Sequence, residues 1–511
     1  MWQRYTFEDF RTIAHYLGTI LVMGGFAMLA PFIVAIFFGE WDAARRYLIG
    51  TGISLISGGA LRLSLISPGQ MTRHQALAVT GFAWIALSLV GAIPLFLSSH
   101  YSLYTDALFD SVSAFTTTDA TLVSDINHLS HADNMWRFTM NFFGGLGLVV
   151  VAISLGLFSS VSGSNMYSSE GRSEHVLPNV VQTARFILRF TLVIIAIMGA
   201  CLATVLVIGG FPAPTAILHG IWLAMSAFMT AGATPMSTGV VYYHNFALEI
   251  LLMVIMIMGS ISMVIQSEIR AGRTESFSRD SEVHMGIVWW LVTLGIFVAS
   301  MCGTQISSPL PMLMRTGLFS FVAAATTTGF VDLNTSQAAA VLPSGAILLL
   351  TLVMAVGGSA GSTAGGIKLQ RLSIIAKAAL ETVKNTASSE SVRLVTDYYH
   401  IGRRHLEAPE IREAMTVFIM FIAMYIIGAM VGIAFGYDAL TSITESVAMA
   451  SNSGISAGIS QVGMPLFLKM VYILEMWMGR LEYVALIALA VKIFVSLKPD
   501  RNILKKKDKR R

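Results

Sequence analysis

Long apolar runs recur along the whole of this chain. Nine stretches approach or exceed the length needed to cross a bilayer, and a tenth, at 48–67, is weaker. Because 55% of the residues are hydrophobic and only 12% are charged, the polar surface is too small for a soluble globule of 511 residues. The sequence therefore predicts an all-α polytopic membrane protein. The nine stretches are 12–38, 75–97, 137–159, 186–209, 246–265, 285–302, 343–357, 414–435 and 466–497.

Lys and Arg are unevenly placed, which predicts the orientation in the membrane. The segments 98–134, 211–244 and 437–465 contain no Lys or Arg, and 306–343 contains only Arg315, so these four are expected outside. Arg45 and Arg46 also fall on the outer side, where we interpret them as snorkelling to the interface. The basic clusters, expected in the cytoplasm with both termini, are 4–11, 62–73, 172–189, 270–279, 368–412 and 498–511.

The alternation of basic clusters and outer segments predicts internal repeats. Each cluster from 62–73 onward is followed by a spanning helix, an outer segment, a second spanning helix and the next cluster. This pattern indicates one helix pair followed by four parallel repeats. The predicted divisions are an N-terminal helix pair at 1–68 and repeats 1 to 4 at 69–182, 183–283, 284–410 and 411–511, the last with a basic tail.

Each outer segment contains an apolar run that is too short to cross the membrane. The runs, at 104–115, 214–229, 312–325 and 438–450, predict re-entrant half-helices, here called pore helices. They lead into the strings "SAFTTTDAT", "SAFMTAGAT", "AAATTTGFV" and "AMASNSGIS". Non-helical backbone at membrane depth must line water or be buried in protein, so four such strings predict a shared aqueous pore. Parallel repeats would bring the negative C-terminal ends of the pore helices together, which favours a cation.

The residue types in these strings fit a selectivity filter of backbone carbonyls. Gly232, Gly329 and Gly454 can adopt the backbone angles that turn carbonyl oxygens toward an ion. Any single string could be an ordinary turn at a helix end, but four in equivalent places favour a filter. The absence of a ring of acidic side chains indicates a monovalent ion rather than calcium. The hydroxyl and amide groups of Thr117, Thr230, Thr327 and Asn452 add ligands and brace the strand. The predicted filter consists of Thr117, Thr118 and Asp119; Thr230, Ala231 and Gly232; Thr327, Thr328 and Gly329; and Asn452, Ser453 and Gly454.

Together with "NFFGGLGLVVVAI", "GGSAGSTAGGIK", "GRLEY" and the extra N-terminal helix pair, these strings resemble the Trk/Ktr/HKT superfamily of potassium transporters, and most closely its TrkH/TrkG branch. The resemblance covers nearly the whole chain. It implies four helix, pore-helix, helix units in a pseudo-fourfold arrangement around one ion path, with K⁺ as the transported ion. It also implies a homodimer in the bacterial inner membrane, beside a cytoplasmic TrkA-type ring of nucleotide-binding subunits.

Asp119 departs from the family pattern, which has glycine at this position. Asp tolerates left-handed backbone better than most residues do, so the filter can keep its shape. The carboxylate could attract cations to the outer mouth, or it could turn aside into a local hydrogen bond, which we favour. In plant relatives a residue other than glycine accompanies sodium transport, so the resemblance leaves a Na⁺-permeable protein open.

The segment 357–368 interrupts the second helix of repeat 3, and we name it the gating loop. Its glycine and small polar residues unwind a helix within the bilayer. Lys368 follows Ile367 rather than glycine, so the pattern does not predict a phosphate cradle. The resemblance implies that the loop blocks the pore below the filter; the alternative is a kink packed against its neighbours. The residues assigned to the gate are Gly357, Gly358, Ser359, Gly361, Ser362, Thr363, Gly365, Gly366 and Lys368.

Arg480 lies within an apolar span, where a lipid-facing charge would cost at least about 2.5 kcal/mol. It must therefore face protein or water. The resemblance implies an electrostatic barrier beneath the filter, and a structural pairing with Glu475 or Glu482 is the alternative.

The polar stretch 381–411 is expected either to dock the regulatory ring or to be a solvated linker. The tail 498–511 is expected either to bind anionic lipid or to anchor the topology.

Three classes of function are open to a membrane chain of this kind. A potassium-translocating, channel-like subunit fits the parallel repeats and the four strings. A symporter of K⁺ driven by Na⁺ or H⁺ would more often have inverted repeats, which the charge map does not give. An enzyme is not expected, because the chain has no HExxH, no GxSxG and no paired intramembrane Asp. Neither a bound catalytic cofactor nor a nucleic-acid partner is predicted.

Overall fold

The computed structural model describes residues 4–65, 69–123, 125–157, 160–170, 180–302, 310–330, 342–388, 397–400 and 402–497. The basic tail 498–511 and the linker residues 389–396 and 401 lie outside the described residues. The fold is the predicted all-α architecture of a helix pair followed by four parallel repeats around one axis. A two-stranded antiparallel hairpin, β1 (Asp397–Tyr399) and β2 (Arg403–His405), lies between repeats 3 and 4.

The N-terminal extension consists of α1 (Phe7–Ala27), α2 (Leu29–Phe37) and α3 (Trp41–Arg62). A capping box formed by Thr6 and Asp9 begins α1. The first two helices form one apolar span of 31 residues, and α3 returns antiparallel to it. Close approach of α1 and α3 requires glycine, because a Cβ built on Gly18 would overlap the carbonyl oxygen of Gly58.

The four repeats follow one plan of a first helix, a pore helix and a second helix. Repeat 1 contains α4 (Arg73–Phe96), α5 (Tyr104–Phe115), α6 (His131–Leu146), α7 (Leu148–Ser154) and α8 (Ser160–Ser169). Repeat 2 contains α9 (Val180–Ile208), α10 (Ala213–Phe228), a 3₁₀ turn (Gly239–Tyr243), α11 (Phe246–Ser260), α12 (Met263–Arg270) and α13 (Glu275–Arg279). Repeat 3 contains α14 (Ser281–Cys302), α15 (Leu310–Ala325), α16 (Ser344–Val356) and α17 (Leu369–Ala387). Repeat 4 contains α18 (Ala408–Ala434), α19 (Ala439–Ala450), α20 (Leu466–Arg480) and α21 (Val484–Leu497).

Contacts between repeats close a ring. The second helix of each repeat packs on the pore helix of the next: α6 on α10, α11 on α15, α16 on α19, and α20 on α5. The pore helices, α5, α10, α15 and α19, have 12 to 16 residues. At 1.5 Å per residue, they are about 18–24 Å long and cannot cross a hydrocarbon core of about 30 Å. Their C-terminal ends therefore stop within the ring.

The second helix is broken in every repeat. The axis bends by 86° at Gly147 between α6 and α7, and by 101° between α11 and α12. The gating loop separates α16 from α17, and residues 481–483 separate α20 from α21. The sequence predicted only the break in repeat 3. Five described helices, or seven if each bent pair is one span, are long and apolar enough to cross a membrane.

The prediction that Arg46 snorkels to the interface is wrong. Its guanidinium is buried and forms a two-pronged ion pair with Asp133, at 3.0 and 3.1 Å, which Tyr47 reinforces through a hydrogen bond of 2.8 Å. Asp133 lies in the first turn of α6, so this pair joins the N-terminal extension to repeat 1. Arg45 is exposed, as predicted.

Candidate filter and gating loop

Each pore helix ends in the same turn, which reverses the chain toward the axis. The N–H of the middle filter residue donates to the carbonyl five residues earlier, in place of a helical bond. The four bonds are Thr118 to Ser113 at 2.8 Å, Ala231 to Ser226 at 2.9 Å, Thr328 to Ala323 at 2.9 Å and Ser453 to Ala448 at 2.9 Å. The same turn at the end of all four pore helices indicates a shared structural requirement.

The backbone angles of these strings repeat as well. The first filter residue is left-handed in every repeat although it is never glycine: φ is 59° at Thr117, 50° at Thr230, 50° at Thr327 and 55° at Asn452. A left-handed threonine is rare because its branched Cβ crowds the backbone. The third residue is also left-handed, with φ of 53° at Asp119, 82° at Gly232, 80° at Gly329 and 69° at Gly454. Left-handed residues on either side of a residue with negative φ allow successive carbonyl oxygens to face one side, as a carbonyl filter requires.

The four strings touch one another around the ring. A Cβ built on Gly232 would overlap the carbonyl oxygen of Thr328, one on Gly329 would overlap that of Ser453, and one on Gly454 would overlap that of Thr118. Glycine is therefore required both by its positive φ and by the neighbouring carbonyl. The amide of Asn452 also donates to the hydroxyl of Thr118 at 3.1 Å. The predicted filter residues are brought together at one place.

The third position of the filter string is glycine in repeats 2, 3 and 4, but it is Asp119 in repeat 1. The Asp119 side chain forms an ion pair. Its carboxylate accepts a hydrogen bond from Arg137 at 3.1 Å, and the two side chains are 7% and 4% exposed. Arg137 also donates to the carbonyl of Thr234 and to the side chain of Asn134, both at 3.4 Å. The pair thus connects the filter strand of repeat 1 to the strand that follows the filter of repeat 2. Arg137 was not among the residues predicted from the sequence, although it is an arginine at the start of the apolar span 137–159.

The filter hydroxyls brace the strands. Thr117 donates to the carbonyl of Thr116 at 2.7 Å, and Thr230 donates to that of Met229 at 2.8 Å. In repeat 4, Asn452 takes the same position, and its amide holds the carbonyl of Met476 at 2.9 Å. These bonds fix backbone that would otherwise be strained, which leaves the carbonyl oxygens as the groups able to coordinate an ion.

The gating loop lies directly under the filter. The Thr363 hydroxyl contacts the carbonyls of Phe228 and Gly259, both at 2.9 Å, and the hydroxyl of Thr230 at 3.3 Å. The N–H of Gly365 donates to the hydroxyl of Thr327 at 2.8 Å. Positive φ at Gly357, Gly361 and Gly366 lets the loop fold into this space, and Lys368, buried, donates to the carbonyl of Ala364. The gating loop is not helical and separates α16 from α17.

Arg480 reaches the same space from α20. Its guanidinium donates to the carbonyl of Gly144, to the carbonyl of Thr363 at 3.1 Å and to the hydroxyl of Thr117 at 3.4 Å. Glu475 hydrogen-bonds to Ser446, and Glu482 pairs with Arg371. The cavity left between Arg480, the gating loop and Asn452 measures about 50 Å³, which is room for a few water molecules. Arg480 thus joins the filter of repeat 1 to the loop of repeat 3.

Comparisons with known proteins agree with the overall fold. Residues 46–498 match the TrkH family, described as a cation transport protein. An uncharacterised cation transporter of Methanocaldococcus jannaschii is 29% identical, with 96% of this chain and 97% of that one covered. The Trk system potassium uptake protein TrkG of Escherichia coli is 25% identical, with 94% and 97% covered. The crystal structure of the potassium transporter TrkH from Vibrio parahaemolyticus superposes with a TM-score of 0.78 at 23% identity, covering 96% of this chain and 99% of that one.

Proposed function

Because this chain belongs to the TrkH family of cation transport proteins, we propose that it is the potassium-translocating subunit of a Trk-type uptake system. The observation that carries the proposal is the convergence of four left-handed turns. Carbonyl groups of the neighbouring turns leave no room for a side chain at Gly232, Gly329 and Gly454. Backbone oxygens held this closely can replace the water shell of a weakly hydrated cation. Transport is then channel-like and follows the electrochemical gradient.

The proposed ion sites are the carbonyls of Thr117, Thr118 and Asp119; Thr230, Ala231 and Gly232; Thr327, Thr328 and Gly329; and Asn452, Ser453 and Gly454. The four pore helices direct their negative ends toward this point, which favours a cation. Since the Asp119 carboxylate is paired with Arg137, it adds little net charge to the mouth. Selectivity for K⁺ over Na⁺ then rests on the backbone.

The gating loop, with Arg480, is proposed to hold the pathway closed in this conformation. Its contacts with Thr230 and Thr327 place it against the lower side of two filter strands, and the remaining cavity of about 50 Å³ is small for an ion that must regain its water shell. Opening requires the loop to leave, and a pull on α17 would move it, because α17 begins directly after Lys368.

The remaining assignments complete the proposal. The basic clusters favour cytoplasmic termini in a bacterial inner membrane. The hairpin β1–β2 and the outer part of α17 lie on that side and offer the surface for a TrkA-type nucleotide-binding ring, with the protein acting as a homodimer. The divisions 1–68, 69–182, 183–283, 284–410 and 411–511 are the proposed units.

Flux measurements in liposomes test the proposal. The purified chain is reconstituted, and uptake of K⁺, Rb⁺, Na⁺ and Li⁺ is compared with that in empty vesicles. Deletion of residues 361–364 should raise basal K⁺ flux, because it removes the segment that contacts the filter. The Gly329→Ala variant should lose K⁺ flux, because its Cβ would overlap the Ser453 carbonyl.

A matched glycine provides the control. Gly345 faces open space, so Gly345→Ala should transport like the unmodified chain. If neither the full chain nor the deletion variant passes any alkali ion faster than empty vesicles do, the conduction proposal fails. If the deletion variant assembles normally but conducts at the basal rate, only the role of the gating loop fails.

A further inference from the structure

We propose that a groove on the cytoplasmic side of α9 is a binding site for an anionic glycerophospholipid. The groove has a volume of about 690 Å³ and lies between α9 and the end of α12. It is separate from the filter and from the gating loop. We name it the basic groove, and its lining residues are Gln182, Arg185, Phe186, Arg189, Phe190, Val193 and Arg270.

The length of α9 places this groove at the level of the lipid headgroups. The helix has 29 residues and is therefore about 43 Å long, whereas the hydrocarbon core is about 30 Å thick. The stretch 191–208 has no charged residue and is long enough to cover almost all of that core. Arg185 and Arg189, in the turns before it, then stand where phosphates of the inner leaflet lie.

Three arginines concentrate positive charge in the basic groove. No acidic side chain of the described residues is within salt-bridge distance of Arg185, Arg189 or Arg270. Arg185 and Arg189 are one helical turn apart and so share a face, and Arg270 approaches from α12. Arg185 also donates to the carbonyl of Ser154 at 3.4 Å, which helps to fix its position. Guanidinium groups bind phosphate oxygens in a two-pronged manner, so three of them fit one anionic headgroup.

Apart from Gln182, the rest of the basic groove is apolar, which points to a lipid rather than a free anion. The rings of Phe186 and Phe190 are stacked, with centroids 5.8 Å apart and planes 12° apart. Val193, 53% exposed, continues this wall toward the membrane centre. An acyl chain descending from a phosphate held by the arginines would lie along these side chains. Inorganic phosphate would contact only the charged half, and a neutral phosphatidylcholine headgroup would bring its own cation next to three others.

Native mass spectrometry of the purified full-length protein tests this inference. Phosphatidylglycerol and phosphatidylcholine of identical acyl chains are titrated separately, and retained lipid is counted. Each arginine near a membrane surface contributes about fivefold to binding of anionic lipid, so R185Q/R189Q/R270Q should bind phosphatidylglycerol up to about a hundredfold more weakly. Binding of phosphatidylcholine should change little.

A charge-matched variant separates a site from general attraction. R279Q/R403Q/R404Q removes three exposed arginines elsewhere on the same side, and it should keep the preference for phosphatidylglycerol. The single variants R189Q and R270Q, at exposed positions, should each weaken binding even if the triple variant is unstable. The inference is overturned if the control variant loses as much binding as the triple variant, if the unmodified chain retains both lipids equally, or if inorganic phosphate at equal concentration displaces the lipid.

Discussion

At the scale of single residues, Asp119 and Arg137 are best understood as one unit. Repeats 2, 3 and 4 have glycine at the position of Asp119, and the ion pair lets repeat 1 carry a carboxylate there without adding net charge to the proposed ion path. Local pattern could identify Asp119 as the unusual residue, because it stands in a repeated string. It could not identify Arg137, because the partner is fixed by how α6 packs beside the filter.

We expect Arg137→Gln to raise Na⁺ flux relative to K⁺ and to make flux sensitive to block by Ca²⁺. The variant leaves a buried carboxylate without its cation, and removal of one partner from a buried pair typically costs about 3–5 kcal/mol. The thermal midpoint in detergent should therefore fall as well. Alkali-ion flux in liposomes and a thermal melt are the two measurements.

The double variant D119G/R137Q completes this test. It removes both charges and restores the glycine of the other three repeats, so flux ratio and stability should return toward those of the unmodified chain. Asp119→Gly alone should leave Arg137 uncompensated and reduce cation flux. Additive effects of the two single changes would show that the residues do not act as a pair.

Arg480 permits a second prediction at this scale. In the proposed function, its charge repels a cation below the filter, and its hydrogen bond to the Thr363 carbonyl helps to hold the gating loop. Arg480→Gln should therefore raise basal flux, whereas Arg480→Lys, which retains the charge, should raise it less. Gel filtration checks that both variants assemble. Equal flux in all three proteins would contradict a role in either barrier or gate.

At the scale of elements, the pore helices were predictable and most of the helix breaks were not. The pore helices begin and end within one or two residues of the predicted positions, because each is a short apolar run closed by polar residues. The gating loop was predicted from its density of glycine. The other breaks depend on tertiary contact: a Cβ on Gly144, Gly259 or Gly479 would overlap the last carbonyls of the adjacent pore helix, at Phe115, Phe228 or Ala450. A single glycine in an apolar run does not reveal that neighbour.

Glu282, at the start of α14, links the gating loop to the first turn of α17. Its buried carboxylate accepts the N–H of Ala360 at 2.6 Å and that of Gln370 at 3.1 Å. The adjacent Asp280 caps α14 and contacts His400 of the hairpin at 3.0 Å. A continuous polar path therefore runs from the hairpin to the loop, along which a cytoplasmic partner could act.

We expect Glu282→Ala to increase basal ion flux. Without the carboxylate, two part-buried N–H groups lose their acceptor in the closed conformation, at a cost of up to about 1–3 kcal/mol each. A closed state weakened by about 1.4 kcal/mol would open on the order of ten times more often. Glu282→Gln keeps an acceptor oxygen and should retain most of the closed population. Basal ion flux of the two variants is measured in liposomes at equal protein density. If Glu282→Ala has the same flux as the unmodified chain, the Glu282 carboxylate has no role in gating.

At the scale of the whole molecule, the ring closes because each repeat supplies a surface that only the next repeat covers. The order of repeats could be predicted from charge placement, since parallel repeats follow from basic clusters that recur on one side. The attachment of the N-terminal extension could not. Asp133 is 87 residues from Arg46 in sequence, and an arginine beside a short outer loop is more simply interpreted as interfacial.

This attachment gives the last prediction. Asp133→Asn should lower the thermal midpoint in detergent markedly, because Arg46 keeps its buried charge but loses a two-pronged partner, a change that typically costs about 3–5 kcal/mol. Arg46→Met/Asp133→Leu removes both charges and should recover part of the loss, since an apolar pair leaves no unpaired ion. Arg45→Met, next in sequence but exposed, should melt like the unmodified chain. If Asp133→Asn melts unchanged as well, the helix pair is held to the ring by apolar packing alone, of α1 and α3 on α4 and of α2 on α6, and the ion pair contributes only to its orientation.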